Sequence, residues 1–119
     1  MPRVKGGTTT RQRHNKVLAL TKGHRASKHS LYRRAHESML KALSYAYRHR
    51  RERKGDMRRL WISRVNAASR AQGITYSQMM DGLRKSGVSL NRKTLAEMAV
   101  KEPESFASLV TIAKGNTQD

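Results

Sequence analysis

The stretch Arg48–Arg59, RHRRERKGDMRR, holds seven Lys or Arg and two acids in twelve residues. A helix packed on protein keeps a continuous apolar stripe, and none can be drawn here, because Arg50, Arg51, Arg53 and Lys54 point in widely spread directions at 100° per residue. Nor are there carboxylates enough to pair the cations. The segment must therefore be surrounded by solvent or by something anionic. Directly after it the chain turns apolar at Leu60-Trp61-Ile62, as a charged rod would on entering a packed domain.

The rest of the chain sharpens this asymmetry. Of the 119 residues, 1–54 carry 16 Lys or Arg and two acids, a balance of +14, whereas 55–119 carry ten and six, a balance of +4. No acid precedes Glu37, and all five His lie at or before His49. So steep a gradient calls for a polyanionic partner. Nucleic acid fits best. An anionic membrane surface fits poorly, since the basic stretch lacks the broad Trp/Phe/Leu face that interfacial helices bury. The chain has no Cys, which rules out disulfides and thiolate metal sites. Its apolar runs are far too short for a membrane span, and Met1-Pro2-Arg3 leads into polar sequence with no signal-like apolar region. An organellar transit peptide would also be Arg-rich and acid-poor, but here the basic character runs unbroken into a long helix. The expected location is the cytoplasm.

Periodicity indicates an all-α fold: a long basic helical extension joined to a small C-terminal helical domain, divided as residues 1–56 and 57–119. Residues 1–10, MPRVKGGTTT, have almost no apolar content and are expected to be disordered without a partner. Residues 11–22 read as a short helix stopped by Gly23. From Ser30 a long helix begins. With Leu31 at zero, Ala35, Met39, Leu40, Ala42, Leu43, Ala46, Tyr32 and Tyr47 fall within about 180° of one another. Gly55 and Asp56 predict a kink or bend rather than a break, since Gly costs about 1 kcal/mol relative to Ala in a helix interior. Periodicity resumes at Leu60, Trp61, Val65, Ala68 and Ala71, so a helix over 31–71 would be roughly 60 Å long at 1.5 Å per residue.

Beyond Gly73 the punctuation is clear. Thr75-Tyr76-Ser77-Gln78 fits a capping box, with Ile74 and Met79 placed as a hydrophobic staple. That helix stops at Gly87. Asn91 can cap a helix holding Leu95 and Met98, and Pro103 suits the first position of a last helix closed by Gly115. Residues 57–115 thus form a four-helix cluster near the lower size limit for independent folding.

The chemistry-bearing residues point to binding rather than catalysis. Arg leads Lys in the rod, and its planar fork suits phosphate oxygens and stacking on bases. Tyr32, Tyr45, Tyr47, His24, His29, His36 and His49 interleave with the cations, as stacking on unpaired bases requires, although Tyr32 and Tyr47 fit packing on the apolar helix face equally well. Trp61 and Met79-Met80 read as core. Arg92 and Lys93, opening a helix, can meet phosphate through side chains and free N–H groups together. Residues 60–86 also have a helix–turn–helix outline, so a DNA-architectural or regulatory protein is the alternative. A nuclease would need a metal or an acid–base pair. No ligand set has recognisable spacing, no Ser-His-Asp set or phosphate loop can be assembled, and no cofactor or small-molecule substrate is implied.

With these residues laid out, the chain resembles the bacterial large-subunit ribosomal protein L twenty family. The matching stretches are PRVKGG (Pro2–Gly7), RQRHNKVLALTKGHR (Arg11–Arg25), YAYRHRRERK (Tyr45–Lys54), RRLWISRVNAASRAQGITYSQMMDGL (Arg58–Leu83) and LNRKTLAEMAVKEPESFASLV (Leu90–Val110). His24 stands where an aromatic is usual, Ala26 where Gly is usual, and Gly55 interrupts the basic helix. The resemblance implies a structural constituent of the large subunit that binds large-subunit (23S) rRNA directly. It implies a role early in assembly and none in peptidyl transfer, with neighbouring large-subunit proteins as further partners. Some members also bind their own leader mRNA as autogenous repressors. An organellar ribosome would suit the same surface.

The RNA-contacting residues expected in the arm and first helix are Arg3, Lys5, Arg11, Arg13, His14 and Lys16, followed by Lys22, Arg25 and Lys28. Along the long helix they are Arg33, Arg34, Tyr45, Arg48, Arg50, Arg51, Arg53 and Lys54, continued by Arg58, Arg59 and Arg64, with Arg92 and Lys93 beyond it.

Overall fold

The computed structural model describes residues 1–116, so the last three residues of the expected 57–119 domain lie outside it. The described residues hold five α-helices and no strand: α1 (Gly7–Leu20), α2 (Tyr32–Ala71), α3 (Tyr76–Lys85), α4 (Arg92–Lys101) and α5 (Pro103–Gly115), with a 3₁₀ turn at Ala26–His29 between α1 and α2. The chain divides into two compact units, Met1–Arg51 and a second from Glu52 onward. The helix α2 supplies residues to both.

In the first unit, helix begins earlier than expected. Gly7 to Thr10 are helical. Gly6 takes a left-handed φ of +59°, and its carbonyl accepts from both the N–H and the hydroxyl of Thr10, closing a first turn that the Gly and Thr propensities alone would not favour. The helix also ends earlier, at Leu20, because Thr21 closes it. The Thr21 hydroxyl donates to the carbonyls of Val17 and Leu18 at 3.3 and 3.2 Å, and with that partner satisfied the side chain is fully buried. Gly23, at φ +79°, then carries the reversal rather than capping the helix directly. Ala26 follows in a left-handed conformation, φ +57°, where a Cβ is strained.

Helix α1 meets α2 through rings and small side chains. His14 stacks on Tyr32 with centroids 3.9 Å apart, His24 Nδ1 lies 2.7 Å from Ser38 Oγ, and Ala35 is fully buried. Thr21 and Ala35 are the only buried residues of this unit. The apolar face read at 31–47 is left largely open, with Leu40, Leu43 and Tyr47 all more than half exposed. Helix α2 continues without a break through Gly55 and Asp56.

The second unit has a true core. Val65, Ile74, Met79, Leu83, Leu95, Ala96, Phe106, Val110 and Ala113 form one buried cluster, flanked by Trp61, Tyr76, Met80 and Leu90 among others. The expected caps are in place. Gln78 N–H donates to Thr75 Oγ1, and Thr75 N–H donates to Gln78 Oε1. Thr94 N–H donates to Asn91 Oδ1 at 2.8 Å, and Pro103 opens α5. Gly82 explains how α3 and α5 come so close: a Cβ there would sit 2.3 Å from the Ala113 carbonyl oxygen, so only hydrogen fits. One group is left over, the buried Ser69 hydroxyl, which has no hydrogen-bond partner among the described residues.

Candidate nucleic-acid interface

The expected contact residues fall on every segment of the first unit and on the start of the second. Arg3 and Lys5 precede α1; Arg11, Arg13, His14 and Lys16 lie on it; Lys22 and Arg25 flank the turn, and Lys28 is in the 3₁₀ segment. From Arg33 to Arg64 the candidates all ride on α2. Every residue from Tyr47 to Leu60 is exposed, as the missing apolar stripe requires. Arg50, Arg53, Lys54 and Arg58 have no carboxylate or hydrogen-bond partner among the described residues. Their charge is met by solvent alone.

Other cations are partly engaged. Arg33 and Arg34 share Glu37, at 4.0 and 3.4 Å, and Arg59 reaches Asp56 at 3.3 Å. These pairs are solvent-exposed and contribute little, so a phosphate can replace the carboxylate. In the second unit Asp81 and Glu97 are claimed locally. Hydrogen bonds from Arg84 and Lys85 hold the Asp81 carboxyl below its ordinary range. The hydrogen bond from Lys101 does the same to Glu97, and raises the Lys101 ammonium in turn. Cations free to neutralise an outside anion are therefore concentrated before Lys54.

Two expected residues are less available than their sequence context suggests. His14 is half-buried and occupied by its stack on Tyr32. Arg92 is half-buried and donates through Nε to the Tyr76 hydroxyl at 2.8 Å, while Asn91 already takes the Thr94 N–H. The start of α4 is thus partly filled from within, and Lys93 is its exposed cation. Such a pairing, sixteen residues apart, carries no sequence signal.

Conversely, the structure brings forward Tyr47 and His49, read above as stacking candidates but not among the expected contacts, together with Lys41. Tyr47 is exposed, with the Arg51 guanidinium 4.7 Å from its ring centroid, so packing on protein is not its role. His49 stacks on Tyr45 at 5.6 Å, and the Lys41 ammonium lies 5.6 Å from the same ring. Both sets follow the i,i+4 neighbour rule of a helix, which was the available signal. An exposed aromatic held flat beside a cation can accept a base on its open face.

Among the described residues no group of three or more His, Asp or Glu could hold a metal, and no helix is long and apolar enough to cross a membrane. The whole is a basic, all-helical protein suited to a polyanion. Comparison with known proteins specifies the kind. The profile of the family described as Ribosomal protein L20 matches residues 3–109. The chain is 59% identical over 113 residues to a protein named Large ribosomal subunit protein bL20 from Dehalococcoides mccartyi, covering 95% of each chain. It is 54% identical over 114 residues to the protein of the same name from Heliobacterium modesticaldum, covering 96% of each. The chain belongs to the ribosomal protein L20 family, whose members are structural components of the ribosome and not enzymes.

Proposed function

We propose that the chain is a constituent of the large ribosomal subunit that binds large-subunit rRNA directly and helps the RNA fold during early assembly. Its relatives are named for that subunit. Residues 1–56 act as the arm and helix that penetrate between RNA segments, and residues 57–119 form the compact domain that fixes their register. The phosphate contacts run from Arg3 and Lys5 through α1 and the turn to Arg50, Arg53, Lys54 and Arg58. Its place is the cytoplasm, within the subunit, beside other large-subunit proteins.

One observation carries this reading. From Tyr47 to Leu60 no residue is shielded by protein, and most cations there lack a carboxylate. Close-packed RNA helices present the same problem with opposite sign, namely phosphates brought together without counterions. Inserting such a helix releases condensed ions and lets the backbones approach. Because the first unit gains its order together with the RNA, binding and RNA folding are coupled, which is what an early assembly role needs.

The test is affinity for a structured large-subunit rRNA fragment against duplex DNA of equal length, across a salt series, with a structured leader mRNA as competitor. The expected result is a steep salt slope with the rRNA favoured by about 1,000-fold. Equal affinity for both would sink the reading and return the DNA-architectural one. Competition by the leader mRNA would add a repressor role.

A further inference from the structure

The second unit has a cleft of about 250 Å³ lined by Trp61, Arg64, Lys93, Ala96, Glu97, Val100 and Lys101. Trp61 is half-buried. It packs against the core cluster yet contributes to the wall of an open cleft. Its indole N–H donates to no protein group among the described residues, although a tryptophan that buries much of its ring ordinarily finds an acceptor. Around it stand three cations and one acid. Lys101 is held by Glu97 at 2.6 Å, which leaves Arg64 and Lys93, both exposed, in no ion pair or hydrogen bond among the described residues, although Lys93 lies within electrostatic reach of Glu97. An aromatic surface, an unmet donor and two unpaired cations thus converge on a space at the small end of ligand pockets. That space is sized for one flat group, not for a helix of protein or a duplex.

We propose that this cleft receives a single unpaired nucleotide of the bound RNA, its base against Trp61 and its phosphate on Arg64 and Lys93. The proposal rests on the RNA-binding reading above but assigns Trp61 and this cleft a role of their own. A base has a π-face for the indole, and its flanking phosphate accepts from guanidinium and ammonium together. The Glu97 carboxylate opposes that phosphate, and its hydrogen bond to Lys101 offsets part of the repulsion. A double-stranded segment cannot enter, because its bases are paired and stacked on one another. The cleft therefore distinguishes a bulged or looped nucleotide from a helix, whereas the α2 cations respond to phosphate density in any form.

Trp61 is the only tryptophan of the chain, so its emission reports on the cleft alone. The full-length protein is titrated with a mixed-sequence single-stranded RNA and with a blunt RNA duplex of equal phosphate number, following Trp61 fluorescence and, separately, complex formation by mobility shift. The single strand should quench Trp61 strongly and the duplex should bind without quenching. Trp61→Leu, which keeps apolar bulk, should weaken single-strand binding about 10- to 100-fold and leave duplex binding unchanged. Lys93→Gln should lower the salt slope for the single strand by about one phosphate, without altering helicity. Binding of both RNAs without quenching, or equal quenching by both, overturns the cleft and leaves the RNA-binding reading standing. Binding of neither RNA overturns both.

Discussion

The two units of this protein are both helical, but they are held by different forces. In the second, each helix lays an apolar face on a shared cluster built around Phe106, Leu95, Met79 and Val65, and its caps close the ends. In the first, two helical segments and the turn between them bury only Thr21 and Ala35. Helical propensity is similar in the two, so propensity is not what separates them. Burial of apolar surface is, at about 25 cal/mol per Å², set against an ordering cost of roughly 1–2 kcal/mol per residue. A unit with a +13 balance and two buried side chains cannot meet that cost unaided.

Hydrogen exchange offers the largest contrast with which to break this comparison. In the free protein at low salt, the amides of α1 should exchange roughly 1,000-fold faster than those of α5, a difference of about 4 kcal/mol in opening free energy. Adding the rRNA fragment should slow α1 and leave α5 little changed. Equal protection of α1 and α5 without RNA would mean that the first unit holds itself together. Next in size is a matched pair of truncations. Leu95→Ala empties a buried position and should cost about 3 kcal/mol by urea denaturation. Leu43→Ala, where the side chain is 53% exposed, should stay within about 0.5 kcal/mol. If the two cost the same, the open apolar face of α2 is covered in solution.

A smaller effect sharpens the picture inside the second unit. The Ser69 hydroxyl is buried without a partner, and a desolvated polar group left unmatched is unfavourable. Ser69→Ala should raise the denaturation midpoint by the equivalent of about 1 kcal/mol. A loss of stability would show that the hydroxyl is satisfied, as by an ordered water.

How much of this was legible in the sequence follows the same division. Thr75-Gln78, Asn91 and Pro103 announced the caps of the second unit because each meets a local rule: in the first two a side chain reaches a backbone group three residues away, and Pro103 has a fixed φ and no N–H to leave unsatisfied in the first turn. The exposure of Arg48 to Arg59 was legible too, since a helix with no apolar stripe has only one way to sit, whereas Tyr47 and Leu60, read as ends of apolar faces, are exposed as well. What could not be read depends on contacts made at a distance or on backbone angles. Gly82 looks like a weak point in α3 until the Ala113 carbonyl is placed against it. Arg92 looks free until Tyr76 arrives. The helical turn at Gly7–Thr10 runs against propensity, and His14 could not be known to face Tyr32 before the chain had turned at Thr21 to Ala26. The candidate interface was thus readable as a charge distribution, while the availability of each residue was not.

That turn carries the smallest effect and the most local test. Ala26 holds φ at +57°, where the Cβ of an L-residue crowds the following carbonyl at a cost of roughly 1–2 kcal/mol. Ala26→Gly removes the clash but also loosens the unfolded chain, which offsets about 0.4–1 kcal/mol. The net expectation is a gain of about 0.5–1 kcal/mol. Glycine is the usual residue here in the resembled family, so the substitution restores a pattern this chain has left. Because the first unit is marginal, the gain should register as slower exchange of the α1 amides and a few-fold tighter rRNA binding through preorganisation, not as a shift in the melting of the second unit. Gly23→Ala, at φ +79°, is the mirror experiment and should move both readouts the other way. If both substitutions alter RNA affinity but leave α1 protection in the free protein unchanged, the left-handed turn exists only on the RNA, and the first unit owes its path as well as its stability to its partner.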